Sequence, residues 1–102
     1  MITKESKMKL HILKIKDEYF DAVLKGYKTF ELRKNDRDFQ VGDLIHFIRT
    51  DGDEYGFLFI NGEKIFAREL SYQIIYILKD VPEFGLDKDY CILGIKQLEV
   101  KE

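Results

Sequence analysis

Apolar and polar residues alternate along much of this chain, a pattern typical of β-strands with one buried face. From Met8 to Lys16, the side chains of His11, Leu13 and Ile15 fall on one side of an extended strand and the intervening residues fall on the other. The alternation predicts a first strand over residues 8–16, preceded by a polar, flexible tail at residues 1–7. Further strands are predicted over residues 28–34, 44–49, 57–60, 65–78 and 90–100.

The longest predicted strand runs from Ile65 to Leu78, where large apolar side chains recur at every second position and Arg68 interrupts them. The residues assigned to its apolar face are Phe66, Leu70, Tyr72, Ile74, Tyr76 and Leu78. In the strand over residues 28–34, Phe30 and Leu32 face one way, whereas Glu31 and Arg33 face the other.

One segment has a helical period instead of an alternating one. Four apolar residues share one face of this segment: Tyr19, Phe20, Val23 and Leu24. Asp17 is a favourable N-cap, and Gly26 is placed as the glycine that follows a helix C-terminus. We therefore predict a helix over residues 17–25.

Turn signals separate the predicted elements. Residues 35–43 form a polar turn region in which Phe39 and Val41 are expected to anchor the chain, and residues 50–56 form a loop. Asn61-Gly62 predicts a hairpin, and a loop over residues 81–89 contains Pro82. The order β-α-β-β-(β)-β-β predicts one domain over residues 1–102, a mainly β (α+β) pseudo-barrel whose single helix covers an opening.

Composition and charge narrow the function classes. The net charge of −2 across 102 residues argues against a protein that coats nucleic acid non-specifically. The lone Cys91 excludes an intramolecular disulfide, and no apolar run approaches the length of a membrane span, so we expect a cytoplasmic protein. The two histidines, His11 and His46, are not spaced as metal ligands, and His11 is expected to be structural. We see no nucleotide-loop, cofactor or nucleophile motif, and we expect neither metal nor cofactor.

The densest candidate chemistry lies between Gly26 and Asp43, in the run GYKTFELRKNDRDFQVGD. On one strand face, Glu31 could orient Arg33 toward a ligand, because a guanidinium group presents a fork of donors suited to phosphate or a base edge. Lys28 lies at the helix–strand junction, where clefts form. The alternative, an exposed ion pair of little energetic value, stays open. The candidate ligand-contacting residues are Tyr19, Tyr27, Lys28, Glu31, Arg33, Asn35, Asp36 and Arg37.

The motif G-x-K-x-x-E-x-R, here GYKTFELR from Gly26 to Arg33, resembles the signature of the ASCH superfamily. The surrounding residues, from His11 through the run ending at Asp43 to the strand Ile74–Leu78, are similar to a small bacterial and phage family, DUF3850. The resemblance implies a PUA-like pseudo-barrel, a cleft between helix and sheet lined by Lys28, Glu31 and Arg33, and an association with RNA. Function inferred from fold similarity is an analogy.

Three functions follow as hypotheses. The first is a module that binds RNA or a nucleotide-like ligand, with Tyr19 or Tyr27 stacking on a base and with Glu31 and Asp36 holding the cations in place. The second is an amidohydrolase acting on an acylated nucleoside, as some small ASCH proteins do. Their scheme needs a threonine three residues after the lysine, where this chain has Glu31, so catalysis would require a Lys28–Glu31 pair that activates water. The third is a protein-interaction module. Whether the Asp80–Asp89 loop covers the cleft is left open.

Overall fold

A computed structural model describes residues 8–49, 57–60, 63–66 and 71–98, the two short segments in their backbone only. The strands are β1 (Leu10–Ile15), β2 (Phe30–Lys34), β3 (Leu44–Arg49), β4 (Phe57–Ile60), β5 (Glu63–Phe66), β6 (Tyr72–Leu78) and β7 (Tyr90–Gln97). The α-helix, α1 (Asp17–Leu24), follows β1, and a short 3₁₀ turn (Pro82–Phe84) precedes β7. The predicted mainly β (α+β) pseudo-barrel with one helix is confirmed.

Five of the strands form one curled sheet in the order β1-β3-β6-β7-β2. The pairing of β1 with β3 is parallel, and the other three pairings are antiparallel. β4 and β5 form a separate antiparallel pair in which Ile60 lies opposite Glu63, in agreement with the predicted hairpin. The Asn61-Gly62 turn, the loop over residues 50–56 and the tail over residues 1–7 lie outside the described residues.

The core lies on the inner face of the curl, as the alternation of β1 predicts. His11, Leu13 and Ile15 are buried, whereas the residues between them are exposed. α1 packs against this face through Phe20, whose ring lies 5.8 Å from that of Phe47 in β3. The other buried apolar residues are Val23, Phe39, Ile45, Tyr72, Ile74, Cys91, Leu93 and Ile95.

The two ends of α1 differ in how well the sequence predicts them. Gly26 follows the helix with φ +80°, a conformation that glycine adopts without steric strain, so its predicted place is confirmed. The N-terminal prediction is wrong, because Lys16 is the N-cap residue and Asp17 is the first helical residue. The Asp17 carboxylate instead accepts a hydrogen bond from Nε of Arg49 at 2.7 Å, and this bond lowers its pKa.

The predicted strand from Ile65 to Leu78 is two strands in two different sheets, since β5 pairs with β4 and β6 lies between β3 and β7. Arg68 and Leu70 lie outside the described residues. A bulge between Ile74 and Tyr76 also changes which β6 side chains point toward the core after Ile74. Tyr76, predicted to share a face with the buried Tyr72 and Ile74, is exposed, and Ile77 packs against the core in its place.

In the polar turn, Phe39 is buried as predicted, but Val41 is exposed. The chain reverses at Gly42, which has φ +100°, and the buried anchor after this reversal is Asp43. Its carboxylate accepts hydrogen bonds from His11 Nε2 at 2.8 Å and from the backbone amides of Lys9 and Gln40. These contacts give His11 the structural role expected of it, with its ring 4.7 Å from that of Phe39.

β1 and β2 occupy opposite edges of the sheet, and the curl brings these edges close together. Arg33 Nη2 donates to the carbonyl oxygen of Lys14 at 2.7 Å, and Arg37 Nη1 donates to that of Ile12 at 3.2 Å. The two carbonyl groups are two residues apart and so point to the same edge of β1. Side-chain hydrogen bonds, rather than strand pairing, thus join the two edges along what we call the seam.

Candidate functional site: a basic cleft beside the seam

An open cleft of about 470 Å³ lies where β1, α1 and β2 meet. Its lining residues are Lys14, Ile15, Lys16, Tyr19, Lys28, Phe30, Glu31, Leu32 and Arg33. This volume falls within the range of small-molecule sites, roughly 300–1,000 Å³. The structure therefore brings together four of the predicted ligand-contacting residues: Tyr19, Lys28, Glu31 and Arg33.

Glu31 is the centre of the polar part of the cleft, although its side chain is only 5% exposed. One carboxylate oxygen, Oε1, accepts a hydrogen bond from Lys28 Nζ. The other, Oε2, lies 3.0 Å from Nε and 2.9 Å from Nη2 of Arg33. A buried carboxylate is stable only when it is paired in this way, so the polar face of β2 points inward because both cations are present.

Lys28 and Arg33 are each fixed by a second, backbone acceptor. Lys28 Nζ donates to the carbonyl oxygen of Phe30 at 2.7 Å, and Arg33 donates to that of Lys14. Because of these contacts, both cations are held in place before any ligand arrives, which reduces the entropy lost on binding. In the described part of the chain, Arg33 Nη1 makes no hydrogen bond.

Two aromatic side chains flank Lys28. Its Nζ lies 5.0 Å from the ring centroid of Phe30 and 5.8 Å from that of Tyr19, within the range of cation–π attraction. Both rings are 46% exposed, so each offers a face or an edge to the solvent. Exposed aromatic rings beside fixed cations are the features with which proteins hold unpaired nucleobases.

The other four predicted ligand-contacting residues lie outside the cleft. Tyr27 is 82% exposed and does not line it. The backbone amide of Asn35 donates to the carbonyl oxygen of Asp89, and Arg37 donates to β1 at the seam. Asp36 is exposed and, among the described contacts, holds neither Arg33 nor Arg37. No residue of the Asp80–Asp89 loop lines the cleft.

Two other cavities are described. One of about 440 Å³ is lined by Met8, Phe39, Gln40, Val41, Asp43, Ile77 and Lys79. The other, of about 200 Å³, has Lys28, Thr29 and Tyr72 among its lining residues. The Tyr72 hydroxyl is buried without a hydrogen-bond partner in the described structure, and burial raises its pKa to about 12.

The described residues contain no group of three or more histidine, cysteine, aspartate or glutamate side chains placed to hold a metal ion. None of their helices has the length and apolar character needed to cross a membrane.

Comparison with known proteins places the chain in a family. Residues 10–95 match the family described as "Domain of unknown function (DUF3850)". The chain belongs to the DUF3850 family. The match runs from the start of β1 into β7 and includes every residue that lines the cleft. A shorter similarity, 46% identity over 37 residues, relates the chain to the "Uncharacterized 12.9 kDa protein in GpA 3'region" of Escherichia phage P2. It covers 36% of this chain and about a third (34%) of the phage protein.

In this DUF3850 protein, three cleft residues whose side chains could contact a ligand were not predicted from the sequence: Lys14, Lys16 and Phe30. The alternation of β1 places Lys14 on its outer face, and Lys16 continues that spacing into the helix N-cap. Phe30 was assigned to an apolar strand face, which turns out to be exposed. The available signal was the presence of basic and aromatic residues on outward-facing positions of the strands that flank α1.

Proposed function

We propose that this protein binds RNA or a nucleotide-like ligand in the basic cleft. The observation that carries the proposal is the placement of two half-exposed aromatic rings, Tyr19 and Phe30, around the fixed Lys28–Glu31–Arg33 cluster. A base can stack on an aromatic face, while cationic groups attract phosphate. The volume of about 470 Å³ suits a ligand of nucleotide size.

We propose that this DUF3850 protein is a member of the ASCH superfamily, supported by the G-x-K-x-x-E-x-R motif and by the curled sheet with one helix. We further propose a cytoplasmic location, supported by the single cysteine, whose thiol is buried.

The test is a titration of nucleosides, nucleotides and short single-stranded RNAs by calorimetry, after a thermal-shift screen. The variant Phe30→Ala removes a half-exposed ring and is expected to weaken binding about tenfold, in line with the value of one stacked base. Phe84→Ala is the matched control, since Phe84 is exposed and lies outside the cleft. Equal affinities of both variants and the parent protein would refute the proposed site.

Lys28→Ala and Arg33→Ala, combined, test the polar half of the cleft and are expected to abolish binding. Because both side chains also contact Glu31, the folded fraction of the double variant is measured by circular dichroism in the same buffer. A folded double variant that binds as tightly as the parent would contradict the proposal.

The same panel discriminates the alternatives. Release of the free nucleoside from an acylated nucleoside, lost in Glu31→Gln, would support the amidohydrolase hypothesis. For that reaction a water molecule would have to reach the Glu31 carboxylate, whose two oxygens already accept hydrogen bonds from Lys28 and Arg33. No binding of any nucleic-acid ligand would favour the protein-interaction hypothesis.

A further inference from the structure

Four cationic side chains and one carboxylate line the cleft, a local net charge of +3 in a chain whose overall net charge is −2. The cavity beside Asp43 has one carboxylate and one ammonium group in its lining, so it carries no such excess. Charge of one sign concentrated at a concave surface attracts ligands of the opposite sign. The charges of the cleft therefore favour an anionic ligand over a neutral one.

The four cations are not equivalent. Lys28 and Arg33 share the charge of Glu31, whereas Lys14 and Lys16 make no side-chain hydrogen bond or ion pair within the described structure. Only the backbone of these two lysines is engaged: the carbonyl oxygen of Lys14 accepts from Arg33, and that of Lys16 accepts from the amides of Tyr19 and Phe20. Their ammonium groups are thus available to a ligand.

The backbone directs the side chains of these two lysines to the same side of the chain. Lys16 is extended (φ −71°, ψ 148°), so the side chains of Lys14 and Lys16 leave the chain on one side, roughly 7 Å apart at their origins. Long, flexible lysine side chains at this spacing can converge on a single phosphate group. Tyr19 lies one helical turn after Lys16 and places an aromatic ring next to that position.

We propose that Lys14 and Lys16 are the phosphate-binding residues of the cleft and make it selective for a phosphorylated nucleotide unit over an uncharged nucleoside. The inference rests on the proposed function, which it deepens by assigning the charged end of the ligand. The phosphate comes either from a free nucleotide or from the backbone of RNA, which present the same chemistry to the two lysines.

The experiment compares a nucleoside, its 5′-monophosphate and a short RNA of the same base, titrated into the full chain and into Lys14→Gln/Lys16→Gln. Lys25→Gln/Lys88→Gln is the control, because it removes the same charge from two exposed lysines outside the cleft. We expect the Lys14/Lys16 variant to lose about tenfold or more in affinity for both phosphorylated ligands and to bind the nucleoside as the parent does. The control variant is expected to change none of the three affinities by more than about twofold.

The outcomes separate the two proposals. If the variant binds nucleotide and RNA as tightly as the parent, the lysine assignment is overturned and the cleft proposal stands. If the parent binds none of the three ligands, both proposals fail. Loss of affinity for RNA alone, with a slope of log Kd against log salt reduced by about 1, supports the lysine assignment with RNA as the source. Loss for the monophosphate as well supports it with a free nucleotide as a source.

Discussion

Arg33 Nη2 donates a hydrogen bond to the carbonyl oxygen of Lys14 at 2.7 Å, and in doing so links the two edge strands of the sheet across the seam. The same guanidinium group is held by Glu31 and lines the cleft. One side chain therefore serves both the closure of the fold and the proposed binding site. Substitutions at Arg33 are therefore expected to affect both the stability of the fold and ligand binding.

Arg33→Lys is predicted to destabilise the protein by about 1–2 kcal/mol although the charge is kept. A lysine has no planar fork and cannot contact Glu31 and the Lys14 carbonyl in the geometry that Arg33 uses. Urea unfolding measures the change. Lys34→Ala, at the exposed neighbouring position, serves as the control and is expected to stay within about 0.5 kcal/mol. Equal midpoints for both variants would show that the seam bond contributes no stability.

Glu31→Gln is predicted to cost about 2 kcal/mol of unfolding free energy. The amide has nearly the shape of the carboxylate, but it leaves Lys28 and Arg33 beside each other without their shared counter-charge in a largely buried setting. Chemical denaturation compares this variant with Glu83→Gln, which changes an exposed glutamate. A stability equal to that of the control would mean that the cluster is the weak surface ion pair considered from the sequence.

The Asp43–His11 contact predicts how stability depends on pH. Burial alone would raise the pKa of Asp43, but hydrogen bonds from His11 and from the amides of Lys9 and Gln40 outweigh it, so the pKa lies below its ordinary value. A lowered folded-state pKa adds stability above the unfolded value of about 3.9, and this contribution is lost as the pH falls through the folded pKa.

Asp43→Asn should therefore cost about 3 kcal/mol near pH 7 and less at acidic pH, because the parent carboxylate loses its charge as the pH falls through its lowered pKa. Urea midpoints at a neutral and an acidic pH test this difference. Asp38→Asn, at an exposed carboxylate paired with Lys9, is the control. A penalty for Asp43→Asn that is the same at both pH values would rule out the charged carboxylate as the source of the stability.

Cys91 is predicted to react slowly with thiol reagents in the folded protein. Its side chain lies in the core, and burial raises the pKa of the thiol, which lowers the fraction of the reactive thiolate. Labelling with a thiol-specific reagent near pH 8 should be slow in buffer and fast in concentrated urea. Equal rates in both solutions would contradict the buried position of β7 in the sheet.

The sequence predicted correctly those structural features that are determined by residues close together in the chain. The alternation of β1, the helical face around Phe20 and the glycine at position 26 each express one of these local rules, and all three are confirmed. Asp17 satisfied the local preference for an N-cap, but its carboxylate is held by the distant Arg49, and this contact cannot be read from the neighbouring residues.

The sequence predicted the residues at the centre of the candidate site but not those at its edge. Lys28, Glu31 and Arg33 are close in sequence and meet through local geometry. Arg37 was predicted to contact the ligand but lies outside the cleft, where it donates to the carbonyl oxygen of Ile12, 25 residues away across the seam. Lys14 and Lys16 line the cleft only because β1 and β2 meet at the seam. That meeting follows from the curl of the whole sheet and cannot be read from neighbouring residues.

The most direct test of the binding site is an NMR titration of the ¹⁵N-labelled protein with a short single-stranded RNA and with a nucleoside monophosphate. The cleft proposal predicts that the largest amide shifts cluster at residues 14–19 and 28–33, which surround the cleft. Shifts centred on the cavity near Val41 and Lys79, or no shifts with either ligand, would contradict it.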